Sequence, residues 1–578
     1  MLRVQPVIAM EAGMIMIVAH PEPEPLLLDL RQLQVAREAY AAEGRITRVV
    51  GELGCASEEE AWGAIARTLG LEFVDLTKVE PDLSLLEGFP IKLIHRHEVF
   101  PIRRERGSVV VATGNPFDLN AIDALSAATG SSVTAVLAFP DEIAKLIKAH
   151  LGVGAETIDG LLAQSGGAAV EILEDVEWDS SEASEMAQQP SVVRLVNEIL
   201  TEAVEGRASD IHLEAQAQGI KIRYRIDGVL QKQPVPSEMN RFHAAIISRL
   251  KIMAKLNIAE KRVPQDGRIK LRVAGREIDI RVSIIPMLHG EGIVMRVLDK
   301  DKMQFSLQGV GMEGATYAAF RRLIQLPHGI ILVTGPTGSG KTTTLYSALS
   351  EIKNEETKII TTEDPIEYQL DGINQIQVHT KVGLTFAASL RSILRHDPDV
   401  VLVGEIRDLE TAENAIQASL TGHLVFSTLH TNDSASAFVR LTDMGVEPFL
   451  VSSSLAGVMA QRLVRTLCLE CRQARSIEDQ ELPDDFPRAD CRAQGGKVFR
   501  AVGCRNCRGT GYHGRVGLFE LLVANEDIRH HACQHATSTA IKQLAVRAGM
   551  RTLRLDGWDK VLKGVTTVEE VMRVTAAD

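Results

Sequence analysis

The sequence predicts a multidomain α/β protein: a P-loop domain, an α/β domain before it, a small N-terminal α/β domain, and an insert built on four cysteines. Three observations carry that prediction. Residues 335–342 read G-P-T-G-S-G-K-T, which fits G-x-x-x-x-G-K-[ST] at every fixed position, after the apolar run 330–333 and before a helix-compatible segment at 343–352. Strand-like and helical patterns alternate through most of the chain. Two C-x-x-C pairs, Cys468 with Cys471 and Cys504 with Cys507, lie near the C-terminal end.

At 578 residues the chain has room for about four domains. Its 45% hydrophobic and 24% charged residues are ordinary for a globular protein. With 76 acidic against 63 basic residues the net charge is −13, which argues against nucleic acid as the main partner. No apolar run approaches the roughly 18 residues that cross a bilayer. Residues 1–26 read as a leader; the apolar stretch 7–19 is interrupted by Glu11 and lacks a clear cleavage site, so it is not read as a signal peptide. The chain reads as cytoplasmic. Seven cysteines, four of them in two pairs, suit a reducing compartment and a metal rather than disulfides.

Along the chain, residues 27–150 form the first α/β domain, with a helix expected at 57–69 and a strand at 108–112. Residues 151–189 read as a flexible acidic linker that includes Glu171, Glu174, Asp175, Glu177, Asp179, Glu182 and Glu185. A second domain spans 190–307. It opens on the helical pattern Val193, Val196, Ile199, Leu200, Ala203, with strands expected at 220–226, 268–273 and 278–285. The P-loop domain is read as 308–578, with the cysteine insert at 466–512 and mainly helices from 528 to 574.

In the P-loop, glycines open backbone conformations in which successive N–H groups point at phosphate oxygens. The nucleotide-binding residues are therefore Gly335, Pro336, Thr337, Gly338, Ser339, Gly340, Lys341, Thr342 and Thr343. Lys341 bridges the β- and γ-phosphates, Thr342 offers its hydroxyl to Mg²⁺, and the helix N-terminus adds to the anion site. Hydrolysis also needs carboxylates at neighbouring strand ends. Glu363 closes the apolar run 359–362 and is assigned to polarising water; Glu405 closes 400–403 and is assigned to Mg²⁺, through water, and to charge stabilisation. Gly404, immediately before Glu405, departs from the commonest Walker B form. A third apolar segment, 424–429, is flanked by His423 and His430, for which γ-phosphate sensing or subunit coupling competes with a plain structural role.

These motifs together resemble the secretion ATPase superfamily of type II secretion and type IV pilus assembly, over roughly residues 190–578. The P-loop, I-T-T-E-D-P-I-E at 360–367, D-P-D-V-V-L-V-G-E-I-R-D at 397–408 and the histidine segment 421–431 carry the resemblance. R-A-S-D-I-H-L-E at 207–214, I-R-Y-R-I-D-G-V-L at 222–230 and M-G-V-E-P-F-L-V-S-S-S-L at 444–455 look most like the type II branch. The resemblance implies a RecA-like ATPase domain, ATP with Mg²⁺ as ligands, and a homohexameric ring in which the second domain closes over nucleotide held by the next subunit. Arg207, Arg223 and Arg225 then become candidate arginine fingers, with Arg268 and Arg281 weaker. Rotation about a connection near 300–312 would couple hydrolysis to movement.

The resemblance further implies that the paired cysteines hold structural Zn²⁺, with Cys491 as a competing ligand, and that the insert contacts a membrane platform protein. The first domain is expected to dock on the cytoplasmic part of an inner-membrane protein, attaching the chain peripherally to the bacterial inner membrane. Binding of a cyclic dinucleotide is disfavoured, because Arg31, Gln32, Leu33 and Gly51, Glu52, Leu53, Gly54 do not reproduce the R-L-G type of motif. Type IV pilus or competence ATPases are the near alternative. A DNA-translocating ATPase and a non-catalytic nucleotide-gated scaffold are the more distant ones.

Overall fold

A computed structural model describes residues 6–11, 14–19, 26–43, 46–151, 170–172, 189–235, 237–273, 275–299, 305–479, 482–504 and 506–576. Most of the expected linker and the first part of the connection at 300–312 lie outside these residues. Within the expected leader, the apolar stretches Pro6–Glu11 and Met14–Ala19 pair as antiparallel strands.

The N-terminal region builds two adjoining cores. One gathers Trp62, Ile65 and Leu53 beneath helix Glu58–Leu69, whose Ser57 side chain accepts from Glu60 N. The other packs Phe100, Val111 and Ile143 around strands Val99–Glu105, Ser108–Thr113 and Val133–Leu137. Gln32 Nε2 donates to Leu53 O at 3.3 Å, so helix Leu30–Glu43 and the turn at 51–54 meet.

The second domain is one antiparallel sheet in the order Val170–Ile172, Gln265–Val273, Arg276–Met287, Gly290–Asp299, Ala208–Gln216, Gly219–Ile226, Val229–Lys232. Helix Pro190–Glu205 starts with proline at its first turn and buries Leu195, Val196, Ile199, Leu200 and Ala203 at helical spacing against that sheet. The short strand Val170–Ile172 comes from the expected linker. It adds to the sheet edge beside Gln265–Val273, where unpaired backbone groups are available.

The P-loop domain has a seven-stranded sheet in the order Asn374–Gln377, Ile359–Glu363, Val400–Val403, Leu424–Leu429, Gly329–Thr334, Leu455–Leu467, Tyr512–Val523. All pairs are parallel except the last. Side chains alternate between two cores: Ile330 and Leu332 face helices Phe386–Ile393 and Leu409–Leu420, while Ile331 and Val333 face helices Lys341–Ile352 and Gly314–Leu323. A parallel sheet covered on both faces reads as continuous apolar runs, which is why its strands stand out in the sequence.

Four helices close the chain, Glu526–Cys533, Ser538–Arg547, Leu553–Leu562 and Val568–Val574, each capped by the side chain before it: Asn525, Thr537, Thr552 and Thr567. The long antiparallel pair Leu455–Leu467 and Tyr512–Val523 leads out to the cysteine insert and back. At its inner end the buried Glu520 accepts from Ser434 N at 2.9 Å and Ser434 Oγ at 2.6 Å.

Candidate active site

Parallel strands deliver their C-terminal ends to one edge of the sheet, and the P-loop leaves that edge at Thr334. Gly335, Gly338 and Gly340 have φ of 147°, 78° and 88°. A Cβ at Gly335 would lie 2.5 Å from Gln461 O, and one at Gly340 would lie 2.8 Å from Gln461 Nε2, so only glycine passes over the strand beneath. The buried Ser339 hydroxyl has no hydrogen-bond partner among the described residues. An orphaned hydroxyl beside glycine-freed amides fits a phosphate.

Lys341 opens the helix, with Nζ donating to Gly335 O at 2.8 Å and Pro336 O at 3.2 Å. Burial pulls its pKa below the usual lysine value; Glu405 and Glu367 oppose that shift, and the nearby Arg462 guanidinium adds to it. Lys341, Thr342, Tyr346, Glu363, Glu405 and His430 line one cavity of about 160 Å³. Five of the sequence-predicted residues are thus brought together.

Glu363 is 4% exposed and accepts from Tyr346 OH, from Thr361 Oγ1 at 2.5 Å and from Gln375 Nε2 at 3.1 Å. Glu405 meets Arg407 Nη2 at 2.7 Å and His430 Nε2 at 3.4 Å. Gly404 has a packing reason: a Cβ there would come within 3.3 Å of both Thr362 O and the Phe386 ring. Its absence seats the strand carrying Glu405 close against the strand carrying Glu363.

His423 lies elsewhere. It precedes Leu424, which pairs with Gly329 at the start of both strands, so it sits at the edge opposite the P-loop, with Nδ1 2.9 Å from Ala418 O. His430 follows Leu429 and reaches the cavity.

The candidate arginines lie in the second domain, each opposite an acidic side chain. Arg207 lies 3.8 Å from Asp227 and 3.1 Å from His513 Nδ1; Arg223 pairs with Glu214; Arg225 lies 3.4 Å from Asp210; Arg268 lies 3.0 Å from Asp279. Arg281 differs. It donates to Ile366 O at 2.8 Å and faces Glu367 at 3.8 Å, next to the phosphate cavity of its own chain.

Reading the sequence missed Tyr346, Gln375, Arg407 and Arg462. Arg462 Nη2 donates to Asn432 O at 2.9 Å, and Nη1 to Gln461 O at 3.1 Å, directly under the P-loop. Arg407 was discoverable, since it follows Glu405 by two residues.

The four paired cysteines converge, with all sulfurs within 4.8 Å of one another. Cys468–Cys504 and Cys504–Cys507 are 3.7 Å apart and Cys471–Cys507 3.8 Å. A Zn–S bond of about 2.3 Å places the corners of a tetrahedron about 3.8 Å apart, so this donor set fits zinc. Gly503 N, Cys504 N and Gly511 N donate to the sulfurs at 3.3, 3.1 and 3.1 Å, the support thiolates need. Cys491 is not a competitor: it is buried among Phe486, Val498 and Trp558, with its thiol on Lys497 O.

The model of the type II/IV secretion system protein family matches residues 185–573, more than half of the chain. The chain belongs to that family. This secretion ATPase is 44% identical over 551 residues to type II secretion system protein E of Xanthomonas campestris pv. campestris, covering 93% of this chain and 95% of that protein. It is 49% identical over 420 residues to the type II secretion system ATPase E of Vibrio cholerae, covering 70% and 82%. It is 40% identical over 555 residues to the type IV pilus assembly ATPase PilB of Myxococcus xanthus, covering 96% and 97%. An MshEN domain matches residues 69–157, so residues 27–68 of the first domain fall outside that match. The secretion ATPase is an ATP-hydrolysing enzyme. Among the described residues no helix is long and apolar enough to cross a membrane.

Proposed function

We propose that this ATPase is the motor of a type II secretion system, working as a homohexamer held peripherally at the cytoplasmic face of the bacterial inner membrane. The observation that carries the hydrolysis is the convergence of Lys341, Thr342, Glu363 and Glu405 on one cavity, and the 44% identity to type II secretion system protein E over 93% of this chain supports the secretion system. When ATP enters, Lys341 exchanges the carbonyls of Gly335 and Pro336 for the β- and γ-phosphates. The Thr342 hydroxyl and, through water, Glu405 would hold Mg²⁺, which neutralises phosphate charge. Glu363 orients the attacking water, and His430 beside Glu405 reads the γ-phosphate.

Arg207, Arg223 and Arg225 complete the site of the neighbouring subunit, exchanging their present carboxylates for the charge that develops on the phosphate. Cys468, Cys471, Cys504 and Cys507 would hold Zn²⁺, which would tie the two ends of the insert together. Residues 27–150 dock on the cytoplasmic domain of an inner-membrane secretion protein, and the insert meets the polytopic platform protein. Full-length match to PilB supports pilus assembly as the second reading. Deleting the gene separates them: lost export of secreted proteins, restored by wild type and not by Lys341→Ala, supports the first, whereas lost pili with intact export supports the second.

A further inference from the structure

The buried Glu363 carboxylate has two oxygens with about four acceptor positions between them. Thr361 Oγ1 and Gln375 Nε2 both donate to Oε1, at 2.5 and 3.1 Å, and fill that oxygen. Tyr346 OH donates to Oε2. Among the described residues one acceptor direction is therefore left, on Oε2, and the tyrosine hydroxyl shares that atom.

Tyr346 stands five residues after Lys341 on the P-loop helix and lines the same cavity. Its ring is 1% exposed and is wedged edge-on against Phe305, 5.3 Å between centroids, so the hydroxyl has little freedom to move relative to that helix. Burial and the adjacent Glu363 push the phenol pKa far up, which keeps the hydroxyl a donor at working pH.

We propose that Tyr346 is a positioning residue for hydrolysis: its hydroxyl, carried on the P-loop helix, aims the one open lone pair of Glu363 at the attacking water. The proposal rests on Glu363 as the group that orients water. The water oxygen bonds to the γ-phosphorus as the bridge to ADP breaks, and the water proton passes by way of Oε2 to the departing phosphate. Coupling this carboxylate to the P-loop helix means that seating the phosphates on Lys341 and aiming Glu363 are one movement.

The test is steady-state ATPase kinetics of the full chain, with binding of a fluorescent ATP analogue and a melting curve. Tyr346→Phe is expected to lower kcat about 10- to 100-fold while KM stays within about twofold. Thr361→Val, which leaves Gln375 on Oε1, is expected to cost less than about threefold. Tyr346→Phe combined with Glu363→Gln is expected to be no slower than Glu363→Gln alone.

An unchanged kcat in Tyr346→Phe, a rise in KM in its place, or an equal loss in Thr361→Val overturns the proposal. If Glu363→Gln turns over at the wild-type rate, the water-orienting reading falls and takes the proposal with it. If Glu363→Gln is inactive and Tyr346→Phe is active, only the role of Tyr346 falls. Should Tyr346→Phe melt early, 3-fluorotyrosine at position 346 keeps the ring and changes only the acidity of the hydroxyl. A kcat that responds while KM does not supports the proposal, and an unchanged kcat overturns it.

Discussion

Replacing Cys504 by serine removes one corner of the sulfur tetrahedron, and the cost can be worked from the loop it closes. The link from Cys471 to Cys504 encloses about 33 residues, for which loop-closure entropy is worth about 4 kcal/mol at most. Part of that segment is held independently by Ile477, Phe486, Cys491 and Val498 packed on Trp558, so the measured loss will fall below this ceiling. In a multidomain chain a single melting temperature blurs such a local loss, and amide hydrogen exchange reads it directly. Exchange at 468–476 and 497–516 is expected to accelerate by up to about a thousandfold, at about 1.4 kcal/mol per decade. The amides of 329–352 should be unaffected, because Leu467 lies about 20 Å along the strand from Ala460, beside the P-loop. Zinc content is expected to fall from one per chain to well below one. Wild-type protein with substoichiometric zinc, or exchange that ignores the substitution, would refute the reasoning.

Lys341→Met should reduce kcat at least about 100-fold without lowering the melting temperature of the nucleotide-free protein. The folded-state pKa of Lys341 is depressed, so its charge opposes folding at every pH below that value, and the penalty fades as pH rises to the unfolded lysine value. Melting curves at neutral and alkaline pH check the sign: any advantage of the variant should shrink as pH rises. Gly335→Ala, with φ at 147° and a Cβ 2.5 Å from Gln461 O, should cost about 1–3 kcal/mol of stability and weaken nucleotide binding at least about tenfold, read by titration with a fluorescent analogue. Arg207→Ala subunits should bind ATP without turning it over, and mixing them equally with Lys341→Ala subunits should restore about a quarter of the sites in a randomly assembled ring. No recovery on mixing would remove Arg207 from the neighbour's site.

The P-loop domain was legible because four of its central strands are short, fully buried runs that end at the site: Thr334 before Gly335, Glu363 at its own strand end, Val403 two residues before Glu405, and Leu429 before His430. What failed was direction. His423 and His430 flank one strand and look equivalent in sequence, but a parallel sheet presents its ligand-binding edge only at carboxyl ends, so the residue before Leu424 is carried to the far side. Applying that rule to the sequence would have separated them. Tyr346 and Gln375 gave no such signal. One is an inward residue of a helix and the other belongs to an edge strand. Only tertiary packing turns both onto Glu363. Cys491 has a ligand's chemistry, but its helix Arg488–Ala493 faces it into an apolar core.

The antiparallel pair Leu455–Leu467 and Tyr512–Val523 has a mechanical consequence. Its outer end carries the cysteine cluster and touches the second domain, through Arg508 in the loop, which donates to Glu205 O at 2.9 Å, and through Gly514 N in the strand, which donates to Asp227 at 3.2 Å. Its inner end carries Gln461, bonded to Thr344 of the P-loop helix at 2.8 Å, and Glu520 on Ser434. A hydrogen-bonded ribbon can bend and twist but hardly stretches. Tension applied at the cysteine end would therefore reach the P-loop helix as displacement, with little lost to slack, as along a tie rod.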